Sequence, residues 1–177
     1  EKTEINDPNA VAIASSDKDN QPNVRMVLLK GLSDKGFVFY TNFNSKKGND
    51  LKNNPNASMC FHWKSIRRQV RISGKVSTVE KEEADKYFSS RDYGSKIAAW
   101  ASSQSKIMNT RDEFLKKIKE FEKKYSDKEN VPRPSHWSGW RVNPEQIEFW
   151  LEAKNRTHQR LNYVLKEGNW VKEILYP

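Results

Sequence analysis

The stretch Arg25-Met26-Val27-Leu28-Leu29-Lys30 predicts a short β-strand with one cation at each end. Downstream, Phe37 to Asn42 predicts a second strand, and Ser45-Lys46-Lys47 predicts the start of a helix. Basic or hydroxyl side chains therefore stand at every junction between these elements. Backbone amides at a helix N-terminus, a capping hydroxyl and nearby lysine or arginine all favour a bound phosphate. Solvated charges at a hairpin edge explain the same pattern, and these residues alone favour that plainer interpretation.

Length and composition predict one domain, spanning residues 1–177, with enough apolar residues for a core. The net charge of +9 favours anionic partners, such as nucleic acid or phosphorylated metabolites, but selects none of them. The single cysteine, Cys60, excludes an intrachain disulfide and favours a reducing compartment. No apolar run is long enough for a membrane helix, and the first residues do not resemble a signal peptide. We therefore expect a soluble, cytoplasmic protein without a membrane partner.

Alternating and apolar runs predict a protein built mainly of β-strands. The predicted strands are residues 9–15, 24–30, 37–41, 57–63, 67–79, 146–151, 160–166 and 170–175. Short connections between the first three strands predict an antiparallel meander, and Gly74 predicts a bulge or a bend that lets the sheet curl. Helices are predicted from a Ser45 cap to Leu51, after Glu80, and from a capping box at 110–113 onward. The predicted fold class is mainly β, a small antiparallel barrel with flanking helices.

Tyr87, Arg91 and Ser95 form one candidate anion-binding group. The first two residues share a helical face and the third follows the helix, so phenol, guanidinium and hydroxyl converge on one point. A capping interaction and a core tyrosine explain the same residues, and that alternative is favoured for each residue taken separately.

The segment Arg156-Thr157-His158-Gln159-Arg160 is a second candidate group. If this segment is extended, Arg156, His158 and Arg160 project from one face. Two cations and an imidazole would be costly to bury without an anion. An exposed basic edge strand is an equally good explanation.

Several common site types are absent from the sequence. It contains no Gly-rich nucleotide fingerprint and no nucleophile elbow. The three histidines, His62, His136 and His158, have no cysteine or carboxylate nearby at ligand spacing, so we predict no metal site.

Taken together, the motifs resemble one family, the pyridoxamine 5′-phosphate oxidases. The matching pieces run in register from about Asn9 to Pro177. In chain order they are Arg25-Met-Val-Leu-Leu-Lys30, Phe39-Tyr-Thr-Asn42, Ser45-Lys-Lys47, Asn54-Pro55, Arg68-Gln-Val70, Tyr87-Phe-x-x-Arg91, Gly94-Ser-Lys-Ile97, Ala99-Trp-Ala-Ser-x-Gln-Ser105, Glu148-Phe-Trp150 and Arg156-x-His-x-Arg160.

The resemblance implies an antiparallel FMN-binding split β-barrel that forms a homodimer with two flavins at the subunit interface. One subunit is expected to hold FMN with Arg25, Met26, Val27, Leu28, Leu29, Lys30, Tyr40, Thr41, Lys46, Lys47 and Gln69. The other residues expected to bind FMN, largely from the partner subunit, are Gln104, Ser105, Trp150 and Arg160.

The family's substrate is a phosphorylated B6 vitamer, pyridoxamine 5′-phosphate or pyridoxine 5′-phosphate, which is oxidised to pyridoxal 5′-phosphate. The resemblance assigns its binding to Lys30, Tyr87, Arg91, Ser95, Arg156, Thr157 and His158. Arg156 and His158 are the expected catalytic residues, which clamp the pyridine ring for hydride transfer to FMN. Reduced FMN is then expected to pass its electrons to dioxygen and release hydrogen peroxide.

This chain departs from the family's usual motifs beside the substrate pocket. Thr157 and Gln159 stand in place of a leucine and an aspartate. The other departures are Leu151-Glu152 for Gln-Gly, Ser138 for glycine in Trp-Gly-Gly, and Asp92 for proline. These departures bear on substrate preference and rate more than on FMN binding. The family's segment upstream of the first strand, which can cover the active site, is expected to be largely absent.

Two alternatives to the oxidase remain. The first is a divergent split-barrel protein that binds FMN but serves another reductase or flavin-binding role. The second is a nucleic-acid-binding barrel, which the charge of +9 would explain. The basic residues match discrete phosphate sites better than a continuous stripe, so we expect no nucleic-acid partner.

Overall fold

The computed structural model describes Glu4 and residues 7–177, and the chain forms two compact units. The first unit comprises residues 1–39, 50–77 and 140–177, and the second comprises residues 40–49 and 78–139. The predicted site residues are distributed over both units.

Nine strands of the described chain join in one sheet. They are β1 (Ala10–Ser16), β2 (Pro22–Leu28), β3 (Gly31–Ser33), β4 (Gly36–Asn42), β5 (Asn56–Trp63), β6 (Arg68–Thr78), β7 (Trp137–Leu151), β8 (Gln159–Lys166) and β9 (Asn169–Leu175). The sheet runs in the order β2-β1-β5-β6-β7-β4-β3, while β8 pairs with β7 and β9 with β8. The β1–β2, β1–β5, β3–β4, β5–β6, β7–β8 and β8–β9 pairs are antiparallel.

The predicted meander of the first three strands is wrong. β1 lies between β2 and β5, whereas β4 pairs with the short strand β3. The strand predicted over 24–30 ends at Leu28, and the Lys30 amide then donates to the carbonyl of Val38 at 2.8 Å. Because this bond begins the β3–β4 hairpin, the chain from Lys30 onward pairs with β4 and does not extend β2.

A row of apolar side chains across β1, β5 and β6 forms part of the core of the first unit. Ile13 lies opposite Met59, and Met59 lies opposite Ile72. All three side chains are buried. This row fixes the strand register, because a shift of one residue would turn the whole row to the other face.

Gly74 marks a close approach between two backbones. The β5–β6 register continues through Gly74 without an inserted residue, so the predicted bulge is absent from this pairing. A Cβ at Gly74 would lie 2.0 Å from the carbonyl oxygen of Asn143 in β7. The position requires glycine because the β7 backbone occupies the space of a side chain.

Strand β7 begins at Trp137, whereas the sequence predicts a start at Gln146. Gly139 and Pro144 lie in the part that the sequence analysis missed. Both residue types disfavour the interior of a strand, and they concealed the alternation on which the prediction depended.

Four helices complete the described chain: α1 (Lys46–Asn53), α2 (Lys81–Ser89), α3 (Tyr93–Ala101) and α4 (Arg111–Lys124). The Ser45 hydroxyl accepts from the Gly48 amide at 3.2 Å, which confirms the predicted cap of α1. The predicted capping box of α4 is wrong, because Thr110 makes no side-chain cap bond and Glu113 accepts instead from the Asn109 side chain at 3.2 Å. Within the described residues, no helix combines the length and apolar character needed to cross a membrane.

Candidate functional site

A cavity of about 770 Å³ in the first unit gathers four of the predicted site residues. These are Gln69, Trp150, His158 and Arg160, and Val70 adds to the apolar part of the lining. A cavity of this size with apolar walls and a few polar groups suits a small aromatic ligand, because the walls desolvate the ring while the polar groups orient it. Among the residues that the structure describes, no three or more His, Cys, Asp or Glu side chains are grouped to hold a metal ion.

Arg160 is held in the cavity wall by the buried carboxylate of Glu148. Its Nε and Nη2 donate to Glu148 Oε1 and Oε2 at 2.9 and 3.0 Å, and Arg71 Nη1 donates to Glu148 Oε2 at 3.1 Å. The hydrogen bonds from Arg160 lower the pKa of Glu148, against the opposing effect of burial. Arg160 Nη1 also donates to the Tyr176 carbonyl at 3.1 Å. Of the five N–H groups of this guanidinium, two are therefore left for a ligand.

His158 presents one defined tautomer. Its Nδ1 accepts a hydrogen bond from the Ala153 amide at 3.3 Å, so the ring proton is on Nε2. The imidazole also packs against Trp150, with 4.6 Å between ring centroids. Nε2–H is therefore the hydrogen-bond donor that this side chain can offer to a ligand in the cavity.

Arg156 does not project from a strand face shared with His158 and Arg160, so that prediction is wrong. Arg156 lies in a 3-10 turn before β8, in which Asn155 and Arg156 have φ angles of +53° and +61°. The predicted alternation needs an extended backbone, which this turn interrupts. Arg156 and Thr157 are exposed, whereas His158 and Arg160 line the cavity.

Arg25, at the start of the opening stretch, belongs to an internal ion-pair network of the first unit. Its Nη1 donates to Ser15 Oγ at 2.7 Å, and its Nη2 lies 3.7 Å from Asp50 Oδ2. Asp50 is buried and also accepts from Ser15 Oγ at 2.9 Å. Burial lowers the pKa of Arg25, and the carboxylate of Asp50 opposes that effect. The plainer interpretation, a solvated charge at a hairpin edge, is therefore wrong for this residue.

The rest of the opening stretch alternates in exposure. Met26 and Leu28 are exposed, whereas Val27 and Leu29 are half-buried. Lys30 is exposed and follows the end of the strand. The stretch thus exposes two apolar side chains, Met26 and Leu28, and one cation, Lys30, to solvent.

In the second unit, Lys47 joins two other predicted FMN residues. Its Nζ donates to Thr41 Oγ1 at 2.7 Å and to Gln104 Oε1 at 3.2 Å. Thr41 Oγ1 in turn donates to Gln104 Oε1 at 3.2 Å. Lys46 and Lys47 open helix α1, whose amides carry partial positive charge. Ser105 is exposed with a φ of +69°. The group combines a cation, a hydroxyl and a helix N-terminus, which suits a phosphate.

Tyr87 and Arg91 lie against one tryptophan in the second unit. Tyr87 stacks on Tyr40 with 4.0 Å between centroids, and Tyr40 lies 5.3 Å from the Trp137 ring. The Arg91 guanidinium carbon lies 4.7 Å from the centroid of Trp137, a cation–π contact. Arg91 Nη1 is buried and makes no hydrogen bond within the described chain. Burial also lowers the pKa of Arg91.

Ser95 follows α2, as predicted, and lies in the first turn of α3. The prediction that Tyr87 and Arg91 share a helical face is wrong, because α2 ends at Ser89 and Arg91 lies between the two helices. Its amide donates to the Asp92 carboxylate at 2.8 Å, and this bond helps to lower the pKa of Asp92. Tyr87 packs against a buried cluster that includes Phe88 and Trp137. The capping interaction and the core tyrosine, which were the alternative explanation of these residues, are therefore both present. That alternative leaves the buried nitrogen of Arg91 unexplained, and a buried donor without a partner is costly.

Two residues that support the predicted site residues were not predicted from the sequence. Glu148 belongs to the Glu148-Phe-Trp150 motif, and a charged residue in an otherwise apolar strand segment is a signal that could have identified it. Trp137 lies two residues before Gly139, and this glycine leaves space for the Tyr40 ring. A Cβ at Gly139 would lie 2.9 Å from that ring. No signal in the sequence alone places Trp137 under Arg91.

Family models match almost the whole chain. Residues 1–125 match the model described as pyridoxamine 5′-phosphate oxidase, and residues 137–177 match the pyridoxine 5′-phosphate oxidase C-terminal dimerisation region. The pyridoxine/pyridoxamine 5′-phosphate oxidase of Pelagibacter ubique (strain HTCC1062) is 62% identical, and the alignment covers 99% of this chain and 85% of the relative. The protein of the same name from Agrobacterium fabrum is 52% identical with the same coverage.

Solved structures show the same fold. PhzG from Burkholderia lata 383, in complex with tetrahydrophenazine-1-carboxylic acid, has a TM-score of 0.91 at 29% identity, covering 97% of this chain and 83% of that chain. A pyridoxamine 5′-phosphate oxidase-related, FMN-binding protein from Nostoc punctiforme has a TM-score of 0.77 at 13% identity, covering 98% and 90%. The predicted fold class, a mainly antiparallel split β-barrel with flanking helices, is thereby confirmed.

Proposed function

The chain belongs to the pyridoxamine 5′-phosphate oxidase family of oxidoreductases, and from this premise we propose that it makes pyridoxal 5′-phosphate. Its substrates are pyridoxamine 5′-phosphate and pyridoxine 5′-phosphate, its cofactor is FMN, dioxygen is the acceptor and hydrogen peroxide is the second product. The observation that carries the proposal is the cavity that gathers Gln69, Trp150, His158 and Arg160.

The residues present fit FMN. The cavity combines apolar walls with the amide of Gln69 and the two remaining N–H groups of Arg160, a donor set that suits the polar edge of a flat ring. Separately, the group around Lys47 and Thr41 offers a phosphate a cation, a hydroxyl and helix amides. When bound, FMN supplies the hydride acceptor and the reaction with dioxygen.

Arg91 is the proposed centre of the substrate phosphate site. Its buried Nη1 has no hydrogen-bond partner among the described residues, and a phosphate oxygen would satisfy it with a charge-assisted hydrogen bond. The stacked position over Trp137 fixes the plane of the guanidinium. We assign Tyr87 and Ser95 to the same phosphate as further donors. Lys30, in the first unit, is a substrate-binding residue by the family resemblance alone.

His158 and Arg156 are the proposed catalytic residues. The Nε2–H of His158 can donate to an oxygen or nitrogen on the substrate ring, and Trp150 limits the movement of the imidazole. The guanidinium of Arg156 favours negative charge on the substrate, and a guanidinium is a poor base. Its exposure leaves the guanidinium accessible to an incoming anion.

A homodimer is part of the proposal. The matched C-terminal region is described as a dimerisation region. Its strands carry large apolar side chains in water, including Phe149, Trp170 and Ile174, which is 83% exposed. Such residues are typical of an interface between subunits.

PhzG was solved in complex with tetrahydrophenazine-1-carboxylic acid, so the second candidate function is an FMN-binding protein that takes a ring-bearing carboxylic acid. The buried nitrogen of Arg91 and the hydroxyls assigned beside it favour a phosphate instead. Turnover separates the two functions: the protein should convert both phosphorylated vitamers with release of peroxide, and should not act on the same vitamers without phosphate. Equal rates with and without the phosphate would contradict the proposed function.

A further inference from the structure

We propose that Arg67 and Glu152 are positioning residues for His158, a role that rests on the proposed function of the cavity. Together they hold the segment 152–158, between β7 and β8, against the turn that follows β5. Neither belongs to the predicted site residues, and Glu152 stands where the resembled family usually has glycine.

Two bonds attach Glu152 to Arg67. The backbone amide of Glu152 donates to the carbonyl of Arg67 at 3.2 Å. The side chains form an ion pair, with Arg67 Nη1 3.0 Å from Glu152 Oε2. Arg67 itself has a φ of +51°, and its amide donates to the Lys64 carbonyl at 3.3 Å. The two bonds thus join the segment 152–158 to the hydrogen-bonded turn between Lys64 and Arg67.

The attachment acts on His158 through one peptide group. Ala153 follows Glu152 directly, and its amide is the donor that His158 Nδ1 accepts. Because the amide of Ala153 belongs to the peptide plane that Glu152 begins, fixing Glu152 limits the direction of this N–H. The direction of the N–H in turn decides which imidazole nitrogen carries the proton.

The segment between Glu152 and His158 contains a hydrogen-bonded turn. Thr157 donates to the Lys154 carbonyl twice, from its amide at 3.1 Å and from Oγ1 at 2.8 Å. Arg67 and Glu152 also line a smaller cavity of about 340 Å³ together with Trp150, the ring on which His158 packs. The same short segment therefore sets both the tautomer of the imidazole and its contact with the tryptophan.

The first test is Glu152→Gln in the protein without FMN, with the ¹⁵N shifts of the His158 ring as the readout. The substitution keeps the backbone amide and the size of the side chain but removes its charge. Wild type should show the Nε2–H tautomer, and the variant should show a mixture with Nδ1–H. The double variant Arg67→Glu, Glu152→Arg restores an ion pair of opposite direction and should recover the Nε2–H tautomer.

Kinetics give the second readout. Glu152→Gln should lower kcat about two- to fivefold, the range that a solvent-exposed ion pair accounts for, while FMN affinity stays within twofold. Glu173→Gln is the matched control, because Lys166 and Glu173 form a similarly exposed pair at 2.9 Å between β8 and β9. The control should change neither the His158 shifts nor kcat.

Unchanged His158 shifts in Glu152→Gln would overturn the proposal, whatever the rate. The same change in Glu173→Gln would also overturn it, because the effect would then come from surface charge in general. The shifts are read without FMN or substrate, so a protein that fails to oxidise the vitamers would contradict the proposed function and not this role.

Discussion

Glu148 and Arg160 form a bidentate ion pair across β7 and β8, with Nε–Oε1 and Nη2–Oε2 distances of 2.9 and 3.0 Å. Glu148 is 4% exposed, and its carboxylate also accepts from Arg71. A carboxylate buried this deeply is tolerated because two guanidinium groups neutralise it. Glu148 therefore decides how Arg160 faces the cavity.

Replacing Glu148 by glutamine should weaken both the fold and FMN binding. The variant leaves two guanidinium groups without their carboxylate, which we expect to lower the free energy of unfolding by about 3 kcal/mol. Urea denaturation of the apoprotein measures the first effect, and fluorescence titration with FMN measures the second. An FMN affinity equal to that of wild type would show that Arg160 needs no help from Glu148.

The contribution of Glu148 to stability should depend on pH. Its pKa in the folded protein lies below the ordinary value of 4.5, so folding favours the ionised form. The contribution is complete above pH 4.5 and is lost as the pH falls through the lower folded pKa. The difference in unfolding free energy between wild type and Glu148→Gln should therefore shrink in acid. A difference that is constant from pH 7 to pH 3 would contradict this origin.

Arg91→Lys should raise the KM for pyridoxine 5′-phosphate while FMN affinity stays unchanged. Lysine keeps the charge but loses the planar fork and its stacking on Trp137. Loss of charge-assisted hydrogen bonds worth about 2 kcal/mol corresponds to a roughly 30-fold change in KM. Arg111→Lys, at the exposed start of α4, is the control and should leave KM as it is. A KM of Arg91→Lys equal to that of wild type would contradict the assignment of Arg91 to the phosphate site.

Gly74→Ala should destabilise the sheet although it adds only a methyl group. The new Cβ would lie 2.0 Å from the carbonyl of Asn143, and a backbone atom cannot rotate away. We expect a loss of at least about 1–3 kcal/mol, measured by thermal or urea unfolding. Gly94→Ala is the control, because its Cβ would meet only the Asp92 side chain at 3.4 Å. Similar stability of the two variants would contradict the close approach seen at Gly74.

Local patterns predicted the elements of this fold better than their connections. The apolar run 10–14 marked β1 correctly, although β1 buries alternate side chains rather than both faces, and the run 57–63 marked β5. The pairing of β4 depends on β7, which comes about a hundred residues later, and a local pattern holds no information on such a partner.

The candidate site was likewise predicted only in part. The family resemblance assigned Gln69, Trp150, His158 and Arg160 to the FMN and substrate sites, with Trp150 and Arg160 expected largely from the partner subunit. The structure brings all four to one cavity of a single chain. The geometry of Arg156 could not be predicted, because neither its residue type nor that of Asn155 indicates a positive φ. The roles assigned to individual residues toward FMN and substrate stay predictions.

The most direct test of the central claim is an anaerobic half-reaction. FMN-loaded protein is mixed with pyridoxine 5′-phosphate without oxygen, the visible absorbance of the flavin is followed, and air is then admitted. We expect bleaching, followed by recovery of the absorbance with release of peroxide, and loss of bleaching in His158→Ala. A flavin that binds tightly yet stays oxidised in the presence of substrate would contradict the proposed oxidase activity.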